Sequence, residues 1–387
     1  MTKEQKEFLK NIAVNFQIEG NIIDVVELNQ GNINSTFIII CEQNGQVKKY
    51  VFQKISTNAF KEPYKLMQMI EKITRFIKEK KEEENDPRQT LEVIKTLEGS
   101  PIFANRTGSE VTYWRVYNHI ENAKTFDYAE NPTIAYNVGK CFGNFQRLLS
   151  SFPIDELEET IPDFHNTEKR RLTFMDSVIN DPVNRAQNCY KEIVEIIQRS
   201  KICNTLNQLV ELGLIPIRPN HNDTKVNNAM LDSESLEYIT AIDLDTVMPG
   251  VLADYADGVR SNASSADESE TDETKIYLDL NLFTSFTEGF LSEMASTSTE
   301  VEIEYMAESI RIITLELAMR FLTDYLNGDT YFKINPTRPH HNLERARNQL
   351  CLVKDIEKKL PLMKKINKEI YADAKLPAKC IRKTFPN

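Results

Sequence analysis

Long apolar runs are missing from this 387-residue chain. No stretch approaches the ~18 consecutive apolar residues of a membrane-spanning helix. The opening Met1-Thr2-Lys3-Glu4-Gln5-Lys6-Glu7 is charged, without the apolar core of a secretory signal. Paired cysteines are missing too. Six stand at 41, 141, 189, 203, 351 and 380, with no Cys-x-x-Cys and no zinc or disulfide framework. Scattered free thiols in a reducing cytoplasm are the expectation. Histidine is scarce, and the adjacent His340-His341 forms no recognisable metal motif. An excess of basic residues is also lacking: the net charge is −11, which argues against a nucleic-acid partner but not against a bound nucleotide. Local cations and a metal can hold a triphosphate inside an acidic protein. Finally, Gly31 is the only glycine in its loop, so no glycine-rich phosphate cradle is present and Gly31 alone reads as a turn.

What is there divides in two. The composition, 41% hydrophobic and 27% charged, is that of a globular protein long enough for two lobes. After a polar helix near 3–16, the pattern predicts strands at Ile22–Leu28, Thr36–Cys41 and Val47–Ile55. Asn44-Gly45 marks a hairpin, because both residues tolerate positive φ. A helix opens at Pro63 and carries Leu66, Ile70, Ile73 and Ile77 on one face. Its charged tail, Lys78–Glu84, reads as a solvated end. Strands at Leu91–Thr96 and Val111–Tyr117 would complete a sheet of about five.

Beyond Asn118 helical periodicity dominates, over Thr133–Ser151, Arg185–Leu212, Ile276–Met294, Val301–Asn327 and Asn342–Ala372. Only 229–231 and 238–243 read as strands there, and there is no internal repeat. Ser261–Glu273 is polar and acidic without an apolar anchor, and is expected to be a mobile surface loop or a lid. The prediction is an α+β, two-lobed protein: a β-rich N-terminal lobe over 1–117 and a mainly helical lobe over 118–387, with a ligand cleft between them.

Chemistry concentrates in Pro219-Asn220-His221-Asn222-Asp223-Thr224-Lys225-Val226-Asn227-Asn228 and Ala241-Ile242-Asp243-Leu244-Asp245. Phosphoryl transfer needs a carboxylate to orient a hydroxyl and accept its proton, plus hard oxygen ligands for Mg²⁺. Asn228 follows Asp223 by five residues, the spacing of base and metal ligand in a protein-kinase catalytic loop. Two short strands flank the turn-like Asp232-Ser233-Glu234-Ser235. An antiparallel hairpin there would set Asn228 beside Asp243 and make a metal site.

These words resemble the aminoglycoside phosphotransferase and choline kinase superfamily. Longer ones resemble its N-acetylhexosamine 1-kinases: Gly31-Asn32-Ile33-Asn34-Ser35-Thr36-Phe37, Tyr50–Ile55, His221–Lys225, Ile242–Gly250 and Arg320–Leu326. Asn32 departs from the histidine common in that family. The resemblance implies a kinase-like fold, ATP and Mg²⁺, and transfer to the anomeric hydroxyl of an N-acetylhexosamine. Asp223 would be the base, Asn228 and Asp243 the Mg²⁺ ligands, with Asp245 as the alternative ligand or a structural acceptor. Arg320 and Tyr331 would hold the sugar, although Arg320 could instead pair with Asp324 at i+4. Gly31 and Lys54 would hold the nucleotide. Strand alternation lets only one of Gln53 and Lys54 face the cleft. Asp254 and Asp257 would support the catalytic loop, and Tyr113–Asn118 would lead into a hinge whose backbone bonds adenine. A kinase for an amino-alcohol or aminoglycoside, or a nucleotide-binding pseudokinase, are the competing readings.

Overall fold

The computed structural model describes residues 1–28 and 34–376. Helix α1 (Lys3–Ala13) begins with a capping box in which Thr2 and Gln5 bond each other's backbone N–H. Strands β1 (Asn21–Leu28), β2 (Ser35–Gln43) and β3 (Gln46–Ile55) then form an antiparallel meander. Asn44 and Gly45 both take positive φ between β2 and β3, as their sequence requires. Helix α2 (Pro63–Glu83) starts on its proline and buries Leu66, Ile70, Ile73 and Ile77. Its charged tail is mostly solvated, but Lys81 is buried and donates to the carbonyls of Gln89 and Ile239.

Strands β4 (Val93–Ile94), β5 (Phe103–Thr107) and β6 (Glu110–Asn118) complete a six-stranded sheet. Its order is β1-β2-β3-β6-β4, with β5 also on β6. The strand expected over Leu91–Thr96 is thus only a two-residue pairing, and β5 is additional. Phe103-Ala-Asn-Arg-Thr has too few apolar residues to show alternation; its pairing to β6 through the turn at Gly108 makes it a strand. Tyr50, Phe52 and Trp114 pack with Leu9 and Ile12 of α1 and with Phe16 just after it on one face of the sheet. Phe52 stacks on Trp114 at 4.7 Å. On the other face Ile55 joins α2 in the larger core.

The remainder is mainly helical. It comprises β7 (Ala123–Lys124), α3 (Pro132–Leu148), α4 (Thr167–Asn180), α5 (Tyr190–Arg199), α6 (Thr205–Glu211), β8 (Arg218–Asn220), β9 (Ala229–Asp232), β10 (Tyr238–Ala241) and β11 (Met248–Gly250). Then follow α7 (Ala253–Asn262), α8 (Leu280–Met294), α9 (Glu300–Leu326) and α10 (His341–Ala374). The expected helix over Arg185–Leu212 is broken into α5, α6 and short 3₁₀ turns. Helix α4 was not expected: its apolar positions are few, and Asn166 caps it. The Ser261–Glu273 segment is not a free loop. Arg260 and Arg345 pair with Glu268, Arg338 donates to the Ser269 carbonyl, and Asn348 donates to those of Asp267 and Glu270. Arginines and an asparagine distant in sequence supply the anchors that the segment itself lacks.

Helices α3 and α8 touch backbone to backbone. A Cβ on Gly139 would stand 2.2 Å from the Phe286 carbonyl oxygen, and one on Gly289 would stand 1.9 Å from that of Tyr136. Gly289→Ala should therefore destabilise the protein by about 1–3 kcal/mol through overpacking, despite alanine's ~1 kcal/mol advantage in a helix. Urea unfolding measures it; an unchanged or higher midpoint would show that the two helices separate freely.

Candidate active site

Between sheet and helices, the chain crosses at residues 119–122. Strand β6 ends at Asn118 in the large sheet, while β7 pairs with β9. Gln89 binds this crossing, its side chain exchanging two hydrogen bonds of 2.9 Å with the backbone of Glu121. Among the described residues, the backbone N–H and C=O of His119 and Ile120 have no protein partner.

The segment from β8 to β9 is held by its own polar side chains. Asn222 takes φ 63°, a left-handed conformation that asparagine tolerates. Its side-chain amide donates to the carbonyls of Asn220 at 3.1 Å and Thr246 at 3.0 Å. Thr246 donates to the His221 carbonyl at 2.7 Å, and Thr224 to the Asp254 carbonyl at 2.9 Å. His221 donates through Nε2 to the Ile242 carbonyl at 2.8 Å and packs edge-on against Phe142 and Phe145. Asp254, fully buried in the first turn of α7, accepts the backbone N–H groups of His221 at 2.9 Å and Asn222 at 2.8 Å. Burial pushes its pKa up to about 6 against the pull of nearby His221 and those two donors.

This scaffold presents Asp223. Asn228 donates to the Asp223 carbonyl at 2.8 Å and to Oδ2 at 3.1 Å, and Lys225 pairs with Oδ1 at 2.7 Å. Burial opposes charge on Asp223, but Lys225 and the amide of Asn228 outweigh it and hold the carboxyl below its ordinary value. The β9–β10 hairpin closes through Asp232, which accepts the N–H groups of Glu234 and Ser235. Ile242 donates to the Asn228 carbonyl at 2.9 Å, so Asn228 and Asp243 flank one end of the hairpin. Asp243 takes φ 63° and is open to solvent at the floor of a recess walled by protein. Burial by those walls, then the charges of Asp245 and Asp223, push its pKa up to about 6. No hydrogen-bond donor serves its carboxylate among the described residues.

Asp245 is differently placed. It is buried and paired bidentately with Arg115 of β6, with Nη2 at 2.9 Å from Oδ2, and it accepts the Asn34 amide at 2.8 Å. Arg115 also donates to Gln53 at 2.8 Å, and Gln53 to Thr36 at 3.0 Å. Gln53 is therefore the residue of β3 on the Asp245 side of the sheet. Lys54 is not on that side: it is level with Trp114 on the opposite face and lies 4.0 Å from Glu110, so the expected nucleotide contact from Lys54 is corrected. Gly31 lies outside the described residues. Sequence reading gave Arg115 and Lys225 no role; Lys225 at Asp223+2 lay inside the motif, whereas nothing local marks Arg115.

Arg320 and Tyr331 both lie against Phe332. The Asp324 carboxylate accepts the backbone N–H groups of Thr330, Tyr331 and Phe332 at 2.8–2.9 Å, folding the loop after α9 back onto it. Asp324 is consequently not the partner of Arg320, whose guanidinium lies over the rings of Phe164 at 5.0 Å and Phe332 at 5.6 Å. His165, beside Phe164, links this group to the segment between β8 and β9. Its Nδ1 is 2.8 Å from Glu316 and its Nε2 is 3.0 Å from the Asn222 carbonyl. Both partners are acceptors, so only the doubly protonated ring satisfies both. Although burial opposes the charge, Glu316 raises the His165 pKa.

No protein-family model matches the chain. Solved structures do. An aminoglycoside phosphotransferase from Alicyclobacillus acidocaldarius superposes with a TM-score of 0.59 at 11% identity, over 91% of this chain and 96% of that one. A spectinomycin phosphotransferase, solved with ADP and spectinomycin, gives 0.56 at 13% identity over 93% and 99%. Choline kinase from Cryptosporidium parvum gives 0.53 at 15% identity over 94% and 97%. The chain has the two-lobed kinase-like fold. At such identities the likeness speaks for the fold and leaves substrate and chemistry to the residues.

Two outcomes test the scaffold. Asp254→Asn turns one carboxylate oxygen into an NH₂ facing a backbone N–H, and should cost about 1–3 kcal/mol of stability, read from urea midpoints. His165→Gln bears on pH. A raised folded-state pKa means that the His165 contribution is complete below its unfolded value of 6.5 and is lost as pH rises through the folded value. Wild type should accordingly lose stability in that window relative to His165→Gln; parallel profiles from pH 5 to 9 would show that His165 is neutral.

Proposed function

We propose that this chain is a kinase that transfers the γ-phosphoryl group of ATP to a hydroxyl of a small acceptor. The observation that carries the reading is the pairing of two unlike carboxylates. Asp223 is held ionised by Lys225 and Asn228, while Asp243 faces the same recess with no donor of its own. An anion in that position calls for a cation.

The residues fit Mg²⁺. It commonly keeps one or two carboxylates and fills its shell with phosphate oxygens and water, so the absence of any cluster of three His, Cys, Asp or Glu among the described residues is compatible with it. Asp243 and the Oδ1 of Asn228, whose NH₂ is already committed to Asp223, would be its protein ligands. Bound there, the metal would neutralise charge on the phosphates. Asp223 orients the acceptor hydroxyl and takes its proton as the acceptor oxygen bonds to the γ-phosphorus and the bond to the ADP oxygen breaks. Lys225 stands where it can turn from Asp223 to the transferred group. The unpaired backbone groups of His119 and Ile120 would serve the adenine edge.

For the acceptor, the longer sequence words favour the anomeric hydroxyl of an N-acetylhexosamine, gripped by Arg320 and Tyr331. A cationic amino-alcohol or aminoglycoside is the second reading, drawn from what the similar structures are named for. A cytoplasmic location belongs to the same proposal and is supported by the scattered cysteines without a pairing motif.

ATP consumption across N-acetylhexosamines, neutral hexoses, choline and aminoglycosides tests the assignment, with phosphorus NMR of the product. An anomeric phosphate couples to H1, and a 6-phosphate to the methylene protons. Asp223→Ala should lower kcat by about 10²–10⁴-fold while the protein stays folded. Asp243→Asn should abolish the rise in melting temperature that Mg²⁺ and ATP give wild type. Retention of more than roughly half of kcat by Asp223→Ala would remove the base assignment, and an undiminished metal-dependent shift in Asp243→Asn would move the metal elsewhere.

A further inference from the structure

Arg320 is not the only guanidinium beside Phe164. Arg170, on α4, is half-buried and donates through Nε at 3.2 Å and Nη2 at 3.1 Å to the carbonyl of Phe164. Arg320 lies over the ring of that same phenylalanine. The two cations thus converge on one residue from different helices. They are close enough that burial, followed by the charge of Arg320, pulls the Arg170 pKa down.

The neighbouring carboxylates are occupied. Glu316 is engaged by His165 at 2.8 Å and by the Thr167 hydroxyl at 2.5 Å. Asp163 pairs with Lys169 at 2.7 Å. Asp324 holds the backbone of the loop after α9 and the amide of Asn342. Among the described residues, no carboxylate lies within salt-bridge distance of either Arg170 or Arg320. A protein of net charge −11 has therefore set two guanidiniums and His165 around Glu316, whose hydrogen bonds are already taken by His165 and Thr167, so positive charge is in excess there. Adjacent like charges are unfavourable unless something of opposite sign joins them, and arginine forks suit a carboxylate or phosphate bidentately.

We propose that Arg170 and Arg320 form an anion subsite, so that the acceptor is an acidic sugar whose carboxylate they hold while its hydroxyl meets Asp223. This rests on the kinase reading and narrows it. The His165 bond to the Asn222 carbonyl, one residue before Asp223, ties the subsite to the catalytic loop. A cationic amino-alcohol or aminoglycoside would meet two like charges at this end, and a neutral N-acetylhexosamine would leave both arginines with no carboxylate nearer than Glu316, which His165 and Thr167 already engage. Phosphate as the anion would present the same chemistry, and the experiment separates it from carboxylate.

The full chain is offered N-acetylglucosamine, its 6-carboxylate N-acetylglucosaminuronic acid, glucose 6-phosphate and glucosamine, each with Mg²⁺ and ATP. Acceptor binding is measured in parallel by calorimetry at low and high salt. The expected result is that the 6-carboxylate binds at least about tenfold more tightly than N-acetylglucosamine, a gain that salt weakens and that glucosamine lacks. Arg170→Ala should bring the acidic-to-neutral ratio of kcat/KM close to one, and Arg170→Lys should recover part of it. A preference for glucose 6-phosphate that Arg170→Ala removes would assign the subsite to phosphate and overturn the carboxylate. Equal binding of neutral and acidic sugars, preference for glucosamine, or an equal loss on every acceptor in Arg170→Ala would overturn the subsite altogether. Binding of the acidic sugar that depends on Arg170 but brings no turnover of any acceptor would sink the kinase reading and leave the anion subsite standing.

Discussion

The buried pair of Arg115 and Asp245 decides how the two lobes meet. Arg115 belongs to β6 of the sheet, and Asp245 to the segment that follows β10 among the helices. Two charges taken out of water are tolerable only where hydrogen bonds complete their shells. Here Asn34, Gln53 and the sulfur of Met67 do so. Gln53 in turn bonds Thr36, and Asn34 accepts the N–H of Ser56, so the strut extends across β2 and β3. The sheet is thereby fastened to the catalytic segment through a contact whose half-removal leaves a naked buried charge.

That strut also divides labour among the carboxylates. Four aspartates bear on the site: Asp223, Asp243, Asp245 and Asp254. Asp245 is paired bidentately with Arg115. Asp254 is spent on two backbone N–H groups and shapes the loop. Asp223 shares Lys225 and Asn228, which keeps it ionised yet reachable. Only Asp243 has no bonded cation or donor, and burial with the charges of Asp245 and Asp223 outweighs the pull of Arg115 and His221. Four residues of one type thus occupy four electrostatic states, and the state follows from the partner in each case. The choice between Asp243 and Asp245 as metal ligand, open from spacing alone, is argued by this difference in partners.

How much of this was legible depended on whether the signal was local. The β2–β3 hairpin was readable because Asn44-Gly45 and the flanking alternation lie within a few residues of each other. The β9–β10 hairpin and the adjacency of Asn228 to Asp243 were readable for the same reason. Arg115 was not, because its partner is 130 positions away and an arginine within a strand has no distinctive pattern. Lys54 was misjudged because alternation gives two faces without saying which is inward; Gln53's bond to Arg115 settles that question, and it is a tertiary fact. Arg170 and His165 lie near or within a helix whose apolar stripe is too thin to show in the sequence. The segment after α7 looked unanchored since its anchors, Arg338, Arg345 and Asn348, come from elsewhere.

The charge arrangement of the recess runs against that of the chain. Acidic composition would suit a cationic acceptor, and sequence-wide charge alone could not exclude one. Locally the signs reverse. Toward the β8–β9 segment, Asp223 and Asp243 are negative; away from it, Arg170, Arg320 and a protonated His165 outnumber Glu316 and Asp163, the latter already paired with Lys169. A ligand spanning the recess would meet negative charge at the phosphoryl end and positive charge at the other. A small acceptor with its reacting hydroxyl at one end and an anion at the other satisfies both fields at once. Reversing such a molecule would set its anion against Asp223 and Asp243, so the field itself would select the orientation in which the hydroxyl reaches the base.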